Sequence, residues 1–141
     1  MARDSLPTFG EGTVVAAPNR VLLVEDDLDV RDTLQDLLES EGLDVIPAAN
    51  GKQAIDFLTL NDPPGADLVI LDLMMPLVSG WQVLEVLTAD NSLRRIPVIV
   101  LSALPVNRPE RANELVRKPF ALETLVASIR NVLPDAAVHS L

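Results

Sequence analysis

Short apolar runs alternate with amphipathic segments along most of this chain. The runs at residues 21–24, 67–73 and 97–102 are rich in Val, Leu and Ile, which is typical of strands buried on both faces. Between them, apolar residues recur at the three- and four-residue spacing of helices with one buried face. Strands that alternate with helices form parallel sheets covered on both sides, so the pattern predicts an α/β fold.

Two weaker strands complete the predicted sheet. Residues 44–48 contain Pro47, which has no amide hydrogen to donate to a neighbouring strand, so this strand is expected at a sheet edge. A second short strand is expected at residues 114–117. Helices are expected from residue 30 to Gly42, and over residues 51–60, 81–89 and 122–133.

The connection between the last two strands is too short for a full helix. Only residues 103–113 remain for it, and they include Pro105 and Pro109, which are not tolerated inside a helix. A crossover between parallel strands needs about 10–12 residues including its helix. We therefore expect the fourth helix of a regular five-unit fold to be truncated or missing.

The chain is long and apolar enough for one domain. It has 141 residues, of which 48% are hydrophobic, and this composition supports a single core. The domain is expected over residues 20–134. Residues 1–19 carry scattered Pro and Gly without a sustained period, so they are expected to form a flexible N-terminal tail, with a C-terminal tail at residues 135–141. Because no second domain follows, we expect a stand-alone protein.

The charge of the chain is strongly negative and uneven. The formal net charge is −10, and residues 1–50 hold eleven acidic against three basic residues. No basic patch interleaved with aromatic residues is present, so binding to nucleic acid is not expected. No apolar run has the length of a membrane span, and no signal peptide or cysteine is present. We therefore expect a cytoplasmic protein that does not bind membranes.

Carboxylates follow two of the predicted central strands at the point where each strand ends. Glu25 and Asp26 follow the first strand, and Asp72 lies at the end of the strand at residues 67–73. If these strands are neighbours, Asp26 and Asp72 lie about 5 Å apart. Two carboxylates at about 4 Å repel each other by roughly 4 kcal/mol at an effective dielectric constant near 20. Either one carboxylate takes up a proton, or a cation lies between the two. Clustered carboxylates with water favour a hard divalent cation, and Mg²⁺ above all.

Two further polar side chains are expected at the same edge of the sheet. Ser102 ends a buried strand, and Lys118 follows the short strand at residues 114–117. Acidic metal ligands, a carboxylate nucleophile, a hydroxyl and an ammonium group together suit phosphoryl transfer to an aspartate. In that reaction the cation, the lysine and the hydroxyl neutralise charge on the transferring oxygens.

Four motifs in this order carry a family resemblance. They are "VLLVEDD" at 21–27, "LVILDLMMPLVSGWQVL" at 68–84, "PVIVLSA" at 97–103 and "RKPF" at 117–120. The series resembles the receiver domain of two-component response regulators over residues 20–133. The resemblance implies a flavodoxin-like fold: a doubly wound, five-stranded parallel sheet with strand order 2-1-3-4-5.

The resemblance also implies a role for each polar residue. Asp72 would be the phosphoacceptor, Ser102 would contact a phosphoryl oxygen, and Lys118 would pair with the phosphoryl group or with Asp72. Asp26 and Asp72 would bind Mg²⁺ directly, Glu25 would bind it through water, and the Met74 backbone carbonyl would complete the ligand set. Asp27 lies outside the acidic pair and is interpreted as a residue at the N-terminus of a helix.

The resemblance implies partners as well. The phosphoryl group would come from a histidine kinase or a histidine phosphotransfer protein, and the signal would pass to a downstream protein target. The chain would not be an enzyme beyond catalysing its own phosphorylation and dephosphorylation. Because symmetric dimers are common among soluble proteins, a homodimer is also expected.

Three positions depart from the usual family pattern or tune its chemistry. Leu115 stands three residues before Lys118, where the family usually carries an aromatic ring that moves with the Ser or Thr. Met74 and Leu104 stand two residues after Asp72 and Ser102, at positions that tune phosphoryl hydrolysis in the family. Both side chains are apolar and could screen an attacking water, so slow autodephosphorylation is expected.

Other functions fit the sequence less well. A non-phosphorylated interaction module on the same fold stays open because of the short crossover at residues 103–113. A Mg²⁺ phosphohydrolase of the haloacid dehalogenase type would have a second Asp where this chain has Met74. Dinucleotide binding is disfavoured because no Gly-rich turn follows the first strand.

Overall fold

The computed structural model describes residues 8–9, 13–14, 19–61 and 64–133. Five strands form the main sheet: β1 Arg20–Val24, β2 Asp44–Ala48, β3 Leu68–Asp72, β4 Val98–Ser102 and β5 Glu114–Arg117. The helices are α1 Leu28–Ser40, α2 Gly51–Leu60, α3 Gly80–Ala89 and α4 Leu122–Val132. These bounds agree with the predicted elements to within a few residues.

The strands of the main sheet are all parallel and stand in the order β2-β1-β3-β4-β5. This order confirms the predicted flavodoxin-like sheet. The strand with Pro47 lies at an edge, as its missing amide hydrogen requires. The order also makes β1 and β3 direct neighbours, with Val24 opposite Leu71, so the carboxyl ends of these two strands meet at one edge of the sheet.

The core consists of two apolar layers, one on each face of the sheet. Along β1, Leu22 and Val24 belong to one layer, while Val21 and Leu23 belong to the other. Helices α2 and α3 cover the first layer, and helices α1 and α4 cover the second. Because the central strands are buried on both faces, their sequences are continuously apolar rather than alternating.

Local sequence signals fix where three of the helices begin. The side chains of Asp27, Asn50 and Ser79 accept hydrogen bonds from the first-turn backbone amides of α1, α2 and α3. This arrangement confirms the interpretation of Asp27 as a helix N-terminal residue. Gly42 follows α1 with φ of 93°, a left-handed conformation that favours glycine and ends the helix as predicted.

The crossover between β4 and β5, residues 103–113, forms turns and bends but no helix. The prediction that the fourth helix is truncated or missing is therefore confirmed. The crossover itself helps to cover one face of the sheet, because Val106 and Ala112 pack into the first apolar layer. Arg111 donates hydrogen bonds to the carbonyls of Leu93 and Ile96, at 3.1 and 2.8 Å, and so ties the crossover to the turn before β4.

The predicted tails lie mostly outside the described residues. At the N-terminus, Thr8–Phe9 pairs antiparallel with Thr13–Val14, and the C-terminal tail at residues 135–141 is not described. Within the described ranges, none of the helices combines the length and apolar character that crossing a membrane requires.

Helix α3 begins in direct contact with the end of β3. The amide of Gly80 donates a hydrogen bond to the carbonyl of Leu73 at 3.2 Å. A Cβ atom at Gly80 would lie 2.5 Å from the backbone oxygen of Asp72 and 2.7 Å from the Cα of Leu73. Both of these neighbours are backbone atoms, so a side chain at this position would force α3 away from the strand.

We expect Gly80→Ala to lower the free energy of unfolding by about 1–3 kcal/mol, because the added methyl group overpacks this contact. The measurement is urea denaturation followed by circular dichroism. The matched control is Ala89→Ser at the exposed end of α3, which should change the stability by less than about 0.5 kcal/mol. A Gly80→Ala protein as stable as the wild type would contradict the close approach of α3 to β3.

Candidate functional site

Three carboxylates meet at the carboxyl ends of β1 and β3. Oxygen atoms of Glu25, Asp26 and Asp72 all lie within 4.8 Å of one another. Glu25 and Asp72 are buried, with 1% and 5% of their surface exposed, while Asp26 is exposed to solvent. The structure thus brings together the three acidic residues that the sequence predicted at this edge, because β1 and β3 are adjacent.

The donor set of this cluster fits a hard divalent cation. All three side chains offer oxygen atoms, which Mg²⁺ prefers, and the exposed side of the cluster leaves room for water ligands. Burial raises the pKa of Glu25, and the nearby charge of Asp72 raises it further, against the lowering effect of a hydrogen bond from Lys118. The three carboxyl groups face the one ammonium group of Lys118, and this excess of acidic over basic groups favours a bound cation.

The ammonium group of Lys118 lies between two of these carboxylates. Its Nζ atom is 2.9 Å from Oε1 of Glu25 and 3.2 Å from Oδ2 of Asp72. Burial alone would lower the pKa of Lys118, but the hydrogen bond to Glu25 and the charge of Asp72 outweigh it and raise the pKa. The sequence predicted the contact with Asp72 but not the contact with Glu25.

Both carboxylate oxygens of Asp72 have hydrogen-bond donors. Oδ1 accepts from the backbone amide of Met74 at 3.1 Å, and Oδ2 accepts from Lys118. The side chain of Met74 is 54% exposed beside the site. The predicted role of the Met74 carbonyl as a metal ligand stays a prediction, and the observed contact of this residue is through its amide.

Ser102 is fully buried at the end of β4, next to β3 in the sheet. Its hydroxyl accepts a hydrogen bond from the Leu104 amide at 3.0 Å and donates one to the Leu104 carbonyl at 3.3 Å. The backbone amide of Lys118 donates to the Ser102 carbonyl at 2.8 Å, which anchors the lysine beside β4. Ser102 therefore lies at the predicted edge, with its hydroxyl directed to the crossover.

Arg31 is a site residue that the sequence reasoning missed. Its Nη1 atom donates to the backbone carbonyls of Glu25 and Asp26, at 2.8 and 3.5 Å. The guanidinium group thereby holds the turn that carries both acidic side chains. The available signal was spacing, because Arg31 lies one helical turn after Asp27 and so returns to the N-terminal end of α1.

An apolar groove borders the site between α1 and the beginning of α4. Lys118 lines this groove as well as contacting Asp72, so the groove is continuous with the carboxylate cluster. Its apolar lining comes from both helices and the turn before α4: Val30, Leu34, Leu37, Phe120 and Leu122. Exposed Asp29 and Thr33 lie along the same groove.

Two curated relatives illustrate the similarity of this chain to known proteins. It is 31% identical over 125 residues to the polar-differentiation response regulator DivK of Brucella anthropi, covering 84% of this chain and 99% of DivK. It is 37% identical over 121 residues to the transcriptional regulatory protein CpxR of Escherichia coli, covering 82% of this chain. The chain spans about half of CpxR, 49% of its length.

Solved structures share the fold. The response regulator TrrA of Thermotoga maritima, determined in complex with Mg²⁺ and BeF, superposes with a TM-score of 0.72 at 29% identity. The match covers 81% of this chain and 98% of that one. The family model described as the response regulator receiver domain matches residues 21–130, which include all of the site residues. The chain therefore belongs to the family of response regulator receiver domains.

Proposed function

We propose that this chain receives a phosphoryl group on Asp72 from a phosphohistidine of a histidine kinase or a histidine phosphotransfer protein, in the cytoplasm. The phosphorylated chain then signals by binding a downstream protein, and it catalyses only its own phosphorylation and dephosphorylation. The observation that carries the proposal is the ammonium group of Lys118, held at 2.9 Å from Glu25 and 3.2 Å from Asp72. This arrangement combines a carboxylate nucleophile with a positive charge beside it.

The transfer exchanges one bond to phosphorus for another. A carboxylate oxygen of Asp72 forms a bond to phosphorus, while the bond between phosphorus and the donor imidazole nitrogen breaks and leaves its electron pair on nitrogen. Lys118 stabilises the negative charge on the phosphoryl oxygens, and the Ser102 hydroxyl donates a hydrogen bond to one of them.

The proposed Mg²⁺ ligands are Asp26 and Asp72 directly, Glu25 through water, and the backbone carbonyl of Met74. A Mg²⁺ ion held by these ligands would neutralise negative charge on the carboxylates and on the phosphoryl group. Support comes from the all-oxygen carboxylate cluster of this chain and from its relative TrrA, whose structure contains Mg²⁺ with BeF.

A non-phosphorylated interaction module is the second candidate. The observation that favours it is the crossover at residues 103–113, which lacks a helix. The retained set of Asp26, Asp72, Ser102 and Lys118 favours phosphorylation, because a module that acts only by docking has no use for a cluster of mutually repelling carboxylates.

Incubation with acetyl phosphate and Mg²⁺ should add one phosphoryl group to the wild-type chain and none to Asp72→Ala, because Asp72 is the proposed nucleophile. Intact mass spectrometry over time is the measurement. The matched control is Asp36→Ala on the exposed face of α1, which should be phosphorylated like the wild type. Removal of Mg²⁺ with EDTA should stop the reaction in both phosphorylatable proteins.

Two outcomes of this experiment would contradict the proposal. Equal mass gain in wild type and Asp72→Ala would assign the phosphoryl group to another residue. No gain in any protein, from acetyl phosphate or from a phosphorylated histidine kinase, would favour the interaction module.

Slow hydrolysis of the aspartyl phosphate is a second expectation. Met74 and Leu104 are 54% and 37% exposed, two residues after Asp72 and Ser102. We infer that these apolar side chains screen the site from water. Replacing them with the polar pair Met74→Asn and Leu104→Gln should shorten the phosphoryl half-life by about tenfold, which corresponds to about 1.4 kcal/mol in barrier height.

The half-life is measured by loss of mass after removal of acetyl phosphate. Leu60→Gln on α2, where the side chain is 81% exposed, is the control and should leave the rate unchanged. A wild-type half-life of seconds would contradict the screening role of the two apolar side chains.

The groove between α1 and α4 is the proposed docking site of the phosphodonor protein. The argument is continuity, because Lys118 lines the groove and also contacts Asp72, so a donor seated there brings its phosphohistidine to the nucleophile. The apolar side chains along the groove supply the buried contact that a protein partner needs and that acetyl phosphate does not.

We expect Thr33→Arg to lower the rate of transfer from a histidine kinase that phosphorylates the wild type by about tenfold, because it adds a bulky charge to the groove. Phosphorylation by acetyl phosphate should stay within about twofold of the wild-type rate, because the reacting groups are unchanged. Thr59→Arg on α2 is the control. If the phosphorylation rate falls equally with the kinase and with acetyl phosphate, Thr33→Arg impairs the phosphoryl-transfer step rather than docking of the kinase.

A further inference from the structure

The backbone carbonyl of Leu104 accepts hydrogen bonds from three donors. The amide of Val106 lies 2.9 Å from this oxygen, the Ser102 hydroxyl 3.3 Å, and Nη1 of Arg117 3.3 Å. Arg117 ends β5 and stands opposite Ser102 in the register of β4 and β5. The carbonyl thus joins the first turn of the crossover to the ends of two strands.

Three donors compete for this oxygen, because a carbonyl has only two lone pairs. A hydroxyl that donates to oxygen normally does so at about 2.7–2.8 Å. The Ser102 hydroxyl, at 3.3 Å, is therefore weakly bound to Leu104. If it turns away, the Leu104 carbonyl still accepts from the Val106 amide at 2.9 Å and from Arg117 at 3.3 Å, so it keeps hydrogen-bond donors.

The Ser102 hydroxyl has a single proton to donate. It cannot donate to the Leu104 carbonyl and to a phosphoryl oxygen on Asp72 at the same time. Phosphorylation must therefore release the hydroxyl from Leu104, at the residue where the crossover begins. The half-buried side chain at position 115, which is Leu, has no polar group to take part in this exchange.

We propose that Arg117 is a positioning residue, which holds the Leu104 carbonyl and thereby sets the direction of the Ser102 hydroxyl. Through this contact, Arg117 couples the phosphoryl group on Asp72 to the crossover at residues 103–113. The inference rests on the proposed function, because it requires a phosphoryl group at Asp72. It concerns a residue outside the carboxylate cluster and the groove between α1 and α4.

The C-terminal end of the crossover is anchored to β4, which limits the length of chain that can respond to phosphorylation. The side-chain oxygen of Asn113 accepts a hydrogen bond from the Val98 backbone amide at 2.9 Å. The backbone amide of Asn113 donates to the Val98 carbonyl at 2.8 Å. A change at Leu104 is therefore carried by the residues between these two anchors. This segment includes Pro109 and Arg111, which line a cavity with Trp81 of α3, so the change alters the surface of that cavity.

The test is amide NMR of the full chain with Mg²⁺ and beryllofluoride, a mimic of the phosphoryl group. The proteins are wild type, Arg117→Met, which removes the donor, and Arg117→Lys, which keeps one. Arg95→Met, in the exposed turn before β4, is the matched control. Shifts near Asp72 report binding of the mimic, and shifts at residues 104–112 report the response of the crossover.

In the wild type and in Arg95→Met, we expect the mimic to change amide chemical shifts both near Asp72 and at residues 104–112. In Arg117→Met, the shifts near Asp72 should persist while those at residues 104–112 fall to less than about half of their wild-type size. Arg117→Lys should restore most of the response. Rescue by lysine distinguishes a donor that positions Leu104 from a side chain that only contributes to stability.

Each contrary result has a separate meaning. Full crossover shifts in Arg117→Met, with normal shifts near Asp72, would overturn the role of Arg117 and leave the proposed function standing. Loss of the crossover response in both Arg117→Met and Arg117→Lys, with a folded spectrum before the mimic is added, would also overturn the role as a donor. Absence of shifts near Asp72 in every protein would overturn the proposed function, and the inference with it.

Discussion

The ammonium group of Lys118 links two buried carboxylates that would otherwise destabilise the site. Glu25 and Asp72 lie at the ends of neighbouring strands with almost no exposed surface. Their carboxylate oxygens lie within 4.8 Å of each other, and two such charges repel strongly. The lysine offsets that repulsion at 2.9 and 3.2 Å and keeps a positive charge beside the nucleophile. The strand order places β5 two strands away from β3, with β4 between them, and the side chain of Lys118 spans this separation.

The position of Lys118 does not depend on a helix in the crossover at residues 103–113. The position of Lys118 is set by its backbone bond to Ser102 at the end of β4, so the chain needs only to pair β5 with β4. Arg111 and Asn113 anchor the crossover beside β4, because Arg111 donates to the Ile96 carbonyl and Asn113 accepts from the Val98 amide. The crossover is consequently free to serve as the segment whose first turn meets the buried Ser102 hydroxyl.

Much of the fold followed from local patterns. The strand at residues 44–48 could be assigned to an edge because Pro47 lacks an amide hydrogen, and the short crossover could be recognised from its length and its two prolines. These features are properties of single residues or short windows, which act the same way in any context. The clustering of Glu25, Asp26 and Asp72 was also predictable, because parallel strands present their carboxyl ends at one edge.

The sequence by itself thus determined the order of elements, the family and the identity of the acidic cluster. Only the tertiary structure decided the partners within the site. Arg31 reaches the carbonyls of the acidic turn, and Arg117 reaches the carbonyl of Leu104. Both are long side chains that bind backbone oxygens, and neither spacing nor composition specifies which carbonyl they meet. That choice depends on how the strand ends and the crossover pack together, and it fixes the direction of the Ser102 hydroxyl.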